Sequence, residues 1–177
     1  MAIYYGDGTN SNGHSSNGGR IVQCITSHKT GFTNHTGQSW STNVPDLSPS
    51  ITMSDSNNKV LVMYNVSTSA APNVYSAQIR LLRGTTAIGV GGIDQSNQIQ
   101  SNNHFMTSYD SYSGYGFESL SNGYLDSPGS GTHTYAIQLR SGYANYQVWI
   151  NRTYTNPNNN NVGSASSYIT LFEIAHS

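Results

Sequence analysis

The sequence predicts an all-β chain: an antiparallel β-sandwich or jelly roll over residues 20–177, preceded by a flexible N-terminal arm over residues 1–19. Three observations carry this expectation. No segment keeps apolar residues at i, i+3, i+4 and i+7 for three turns, so no helix is predicted. Several short runs alternate apolar and polar residues with period two. Turn residues separate these runs at intervals of roughly ten, as in sandwiches and jelly rolls.

The arm comes first. Beyond Met1-Ala2-Ile3-Tyr4-Tyr5 it is almost wholly Gly, Ser and Asn, a composition that cannot bury enough apolar surface to order itself. Ile3, Tyr4 and Tyr5 admit two readings: a frayed end, or an apolar anchor on a tether that docks on another subunit. Arg20–Thr26 reads as the first strand. Cys24 is the sole cysteine, so no internal disulfide can form, and its neighbours Val22 and Ile25 predict a buried thiol. Residues 27–50 are polar, with Phe32, Trp40, Val44 and Leu47 as isolated anchors and Pro45 and Pro49 as breakers. Ile51–Met53 is a short strand.

Val60–Val66 is the densest apolar stretch. Val60, Val62, Tyr64 and Val66 share one face and Leu61 and Met63 the other, which predicts a strand buried on both sides. The connection 70–73 reads as a hairpin into a half-buried strand with Tyr75, Ala77, Ile79 and Leu81 inward, the pair forming the centre of one sheet. Gly89, Gly91 and Gly92 read as a bulge or close packing, since no Lys-Ser/Thr follows to make a phosphate loop. Phe105, Met106 and Tyr109 read as another strand. Tyr109, Tyr112 and Tyr115 are spaced by three among glycines, predicting an irregular loop with exposed tyrosines. Tyr124–Asp126 ends a strand, and Thr132–Ser141 is the clearest later one, with Tyr135, Ile137 and Leu139 inward. Tyr146, Val148 and Ile150 repeat the period. Residues 156–161, with Asn158 and Asn159, form a loop. Tyr168–Ala175 closes the chain, and Glu173 within it predicts a buried ion pair with Arg80, Arg83 or Arg140.

Composition narrows the functional classes. Charged residues are only 8% of the chain, against about 25% in ordinary domains. The seven Lys and Arg are scattered and leave no basic footprint for nucleic acid. No apolar run reaches the roughly 20 residues of a membrane helix, and the N-terminus lacks the cationic start and apolar core of a secretory leader. A surface of 27 Ser, 20 Asn and 16 Thr with net charge −1 favours self-association. Most of the acids, Asp126 among them, read as turn residues, so a glycosidase-type carboxylate pair is not expected. No Gly-x-Ser-x-Gly elbow and no paired-histidine zinc spacing occur, so neither enzyme, cofactor nor metal is predicted. The thirteen tyrosines suit half-wet interfaces and sugar-binding surfaces.

A run of motifs then adds a family. Lys59-Val60-Leu61-Val62-Met63, Arg80-Leu81-Leu82-Arg83-Gly84-Thr85, Tyr124-Leu125-Asp126-Ser127-Pro128, Thr134-Tyr135-Ala136-Ile137-Gln138 and Ile169-Thr170-Leu171-Phe172-Glu173-Ile174 occur in this order over about two thirds of the chain. The sequence resembles small virion structural proteins of tailed bacteriophages, tail-fibre-like or knob proteins, especially those of marine cyanophages. The resemblance implies a tumour-necrosis-factor-like jelly roll and a homotrimer. It also implies attachment to other virion proteins through Ile3, Tyr4 and Tyr5 of the arm. Assembly would take place in the bacterial host cytoplasm and residence in the virion. Loops bearing Tyr109, Tyr112, Tyr115, Asn158 and Asn159 would face a host surface glycan. Long fibre shafts are missing. Rival expectations are a capsid decoration or knob protein and a stand-alone carbohydrate-binding module using Trp40 or Trp149.

Overall fold

A computed structural model describes residues 19–71, 76–105, 116–155 and 162–176. It is all-β. The strands are β1 (Ile21–Lys29), β2 (Thr33–Thr36), β3 (Ser50–Thr52), β4 (Lys59–Ala70), β5 (Ala77–Arg83), β6 (Thr86–Ile88), β7 (Asn103–Phe105), β8 (Glu118–Asp126), β9 (Thr132–Ser141), β10 (Gln147–Ile150) and β11 (Ser167–Ile174). No helix among the described residues is long and apolar enough to cross a membrane.

The strands form two antiparallel sheets. The first contains β1, β11, β4, β10 and β2 in that order, with β8 on the other edge of β4. The second runs β3–β9–β5–β6, with β7 beside β6 along the same edge of β5. Val60, Val62, Tyr64 and Val66 of β4 and Ile169 and Leu171 of β11 face Ile79 and Leu81 of β5 and Tyr135, Ile137 and Leu139 of β9 in one core. The alternation that predicted Tyr135, Ile137 and Leu139 as inward is met: all three are fully buried. The result is a β-sandwich.

Two expectations about the central stretch are corrected. β4 and β5 are not the two arms of one hairpin. Each is a central strand of a different sheet, and they meet face to face. Nor is β4 buried on both sides, since Met63 is 44% exposed. Its outer residues belong to a row crossing four strands, in which Cys24 pairs with Phe172, Phe172 with Leu61, and Leu61 with Leu125. Cys24 on this outer row is exposed, contrary to the buried thiol expected from its neighbours.

The first sheet also contains an excursion. β11 covers Lys59–Asn65 of β4 and β10 covers Thr68–Ala70 along the same edge, so β10 and β11 lie end to end, with residues 151–155 and 162–166 outside the ladder between them. β1 and β2 are interrupted at the matching point. Two side chains replace the missing ladder bonds. The buried Asn151 donates through Nδ2 to the carbonyls of Lys29 (2.8 Å) and Gly31 (3.0 Å). The Ser167 hydroxyl donates to Asn151 Oδ1 (2.6 Å) and accepts from the Ser67 amide (3.0 Å). Asn151 has φ 64°, a left-handed conformation that asparagine tolerates better than most residues.

Candidate functional site

After β2 the chain crosses to the second sheet and runs along the edge of β9. The amides of Ser41 and Val44 donate to the carbonyls of Leu139 (2.8 Å) and Ile137 (2.9 Å), and the Ser41 hydroxyl accepts from the Leu139 amide (3.0 Å). The fully buried Val44 and Leu47 anchor the segment in the core. The sequence reads these two as lone anchors in a polar stretch, and anchoring is what they do.

This path leaves a cleft of about 330 Å³ at the margin of the sandwich, between β2 and residues 40–45, lined in part by Asn34, His35, Trp40, Thr42 and Asn43. The volume lies at the low end for small-molecule sites. The lining combines one indole with amides, hydroxyls and an imidazole, and among the described residues contains no carboxylate. His35 Nε2 lies 2.7 Å from the Ser39 carbonyl, which can only accept, so this nitrogen carries the proton. The Arg80 guanidinium stacks on Trp40 at 4.4 Å from the ring centroid. A flat apolar ring beside hydroxyl- and amide-bonding groups suits a sugar, which offers a C–H face and a rim of hydroxyls.

Trp149 is the poorer candidate. It is not among the residues lining the cleft, and its ring is contacted by both Arg152, at 3.9 Å, and Phe32, at 6.4 Å between centroids.

Two buried carboxylates, Glu173 and Asp126, are engaged in structure. Glu173 is fully buried without a cation. It accepts from Gln23 Nε2 (2.5 Å), Asn58 Nδ2 (2.7 Å), the Ser54 hydroxyl (2.7 Å) and the Ser54 amide (2.9 Å). The expected arginine partner is therefore corrected: Gln23 of β1 and Ser54 and Asn58 of the β3–β4 turn fill the site, while Arg83 pairs with Asp126 and Arg80 and Arg140 bond to neutral acceptors of Gln138, Gln38 and Gln78. Burial raises the Glu173 pKa, but these four donors outweigh it and bring it down to about 2. Arg83 instead grips both oxygens of Asp126 at 2.8 Å, and the Tyr135 hydroxyl donates to Asp126 at 2.7 Å. Asp126 thus ends β8 as a buried ion-pair partner, not as the turn residue expected. Burial, with the Asp126 carboxylate, raises the Tyr135 pKa. Gly89 meets the close-packing expectation: with φ +62°, a Cβ there would lie 2.7 Å from the Tyr124 ring.

The site residues expected from the sequence, Ile3, Tyr4, Tyr5, Tyr109, Tyr112, Tyr115, Asn158 and Asn159, lie outside the described residues. Among the described residues no three His, Cys, Asp or Glu side chains form a group able to hold a metal. A scan against protein-family models finds no match, and a search of curated proteins finds none either.

Proposed function

We propose that the chain is a non-enzymatic structural domain of a bacteriophage virion, a head domain of the tail-fibre kind that contacts the host surface through the Trp40 cleft. The observation that carries the host-contact reading is the cleft itself: an indole beside amides and hydroxyls, with no carboxylate to cleave what it holds. The virion reading rests on the order of the motifs from Lys59 to Ile174.

The strand order supports a jelly roll. β1, β11, β4 and β8 face β3, β9, β5 and β6, and the chain passes repeatedly from one sheet to the other. A homotrimer is proposed on the tumour-necrosis-factor-like reading of that fold. The outer apolar row through the half-buried Phe172 and Leu61 and the exposed Leu125, on a chain of net charge −1, favours self-association over a stand-alone monomeric module. The arm would tie the trimer to other virion proteins. A capsid decoration protein would share fold and arm, but the open cleft favours a host-facing position.

The test is retention on immobilised neutral and acidic saccharides, comparing the full chain with Trp40→Ala. At least tenfold weaker retention of the variant, with an unchanged melting temperature, is expected. Equal retention of both, or retention of neither, contradicts the host-contact reading.

A further inference from the structure

The outer face of the second sheet carries two cations that no carboxylate among the described residues neutralises. Arg80 donates through Nε (2.9 Å) and Nη2 (2.6 Å) to the amide oxygen of Gln138. Arg140 donates through Nε to the Gln38 carbonyl (2.5 Å) and through Nη1 to the amide oxygen of Gln78 (2.6 Å). Every acceptor is neutral, whereas Lys29 is paired with Asp46 and Arg83 with Asp126. Nη1 of Arg80 and Nη2 of Arg140 have no bonded partner among the described residues. Both guanidiniums are half-buried, and burial lowers both pKa values.

These cations are placed and oriented. Arg80 pairs with Gln138 across β5 and β9, and Arg140 lies two residues further along β9 on the same face. Diagonal neighbours of this kind are roughly 7–8 Å apart. The pair is joined to the cleft through two shared residues. Trp40 lines the cleft and stacks under Arg80. Asn43 lines the cleft and accepts from Gln138 Nε2 at 3.0 Å, while Gln138 in turn holds Arg80. Holding each guanidinium by two bonds fixes its fork before any ligand arrives, which reduces the ordering cost on binding.

We propose that the cleft takes an acidic saccharide, with a sugar ring against Trp40 and a ring carboxylate received by Arg80 and Arg140. The planar carboxylate matches the guanidinium fork, which a neutral sugar cannot exploit. This inference rests on the saccharide reading of the cleft and narrows it to a chemical class.

Titration of the full chain with a tetramer of galacturonate, and separately with a tetramer of galactose, tests it. Trp149→Phe leaves Trp40 as the single fluorescent indole. The acidic tetramer is expected to bind at least tenfold more tightly, with an advantage that shrinks as salt rises. Arg80→Gln and Arg140→Gln should each remove most of that advantage, bringing the affinity for the acidic tetramer down towards that for the neutral one. Arg80→Lys, which keeps charge but not the fork, should fall between. Equal affinity for both tetramers overturns the acidic preference while leaving the saccharide reading intact. An acidic preference that survives both arginine substitutions overturns the assignment of these residues. Binding of neither tetramer overturns both readings.

Discussion

Glu173 shows how a charge can be buried in this protein without a counter-ion. Four donors from Gln23, Ser54 and Asn58 surround it and tie the β3–β4 turn to β1 and β11. Its folded pKa, about 2, lies below the ordinary value of 4.5. The carboxylate therefore contributes stability in full above about pH 4.5, and that contribution is lost as pH falls through about 2. Glu173→Gln should cost about 2 kcal/mol at pH 7, because an amide NH₂ then faces buried donors. The urea midpoint of the variant should also depend less on pH between about 4.5 and 2. An unchanged midpoint at pH 7 would show that the donors re-pair without it. The sequence singles out Glu173 as misplaced in an apolar strand, and correctly so. It does not identify the partners, because Ser54 and Asn58 reach the site only once the turn has folded over the strand end.

At the scale of elements, the excursion between β10 and β11 depends on Asn151. Asn151→Ala removes the bonds to the carbonyls of the buried Lys29 and of Gly31, removes the acceptor of the Ser167 hydroxyl, and places a less tolerant residue at φ 64°, so a loss of about 3 kcal/mol is expected in denaturant unfolding. A loss below about 1 kcal/mol would mean that Ser167 alone closes the gap. Gly142 is a second pinch point, where a Cβ would sit 1.9 Å from Ser76 Oγ and 3.2 Å from Ser76 O. Gly142→Ala should destabilise by about 1–3 kcal/mol, read as a lower melting temperature. β9 is legible in the sequence because one of its faces is apolar and the other polar, so period two shows directly. β4 is misread as buried on both sides because its outer face also carries Leu61 and Met63, and composition alone does not distinguish an apolar outer face from a core. The assignment of β4 and β5 to separate sheets is invisible to periodicity, which reports which residues share a face and not which strands are neighbours.

At the scale of the molecule, the outer apolar row and the weak net charge predict self-association. Light scattering should give a trimer for the full chain, and Met63→Glu with Leu125→Glu should shift it to monomer without changing the melting temperature by more than a few degrees. Both side chains are exposed, at 44% and 51%, so neither change disturbs the core. A monomeric parent chain would contradict the trimer. The Trp40 cleft is only partly legible in the sequence. Trp40 stands out as an aromatic in a polar stretch, but the walls of its cleft come from β2 and Leu139 of β9, about a hundred residues apart in sequence and joined only by the fold.

On the proposed reading Trp40, and not Trp149, meets the ligand. The two indole N–H resonances in a proton–nitrogen correlation spectrum separate these possibilities. On addition of galacturonate tetramer to the full chain, the Trp40 resonance, identified by its absence in Trp40→Phe, should move progressively to saturation while that of Trp149 stays in place. Movement of Trp149 alone, or of neither, would contradict the account.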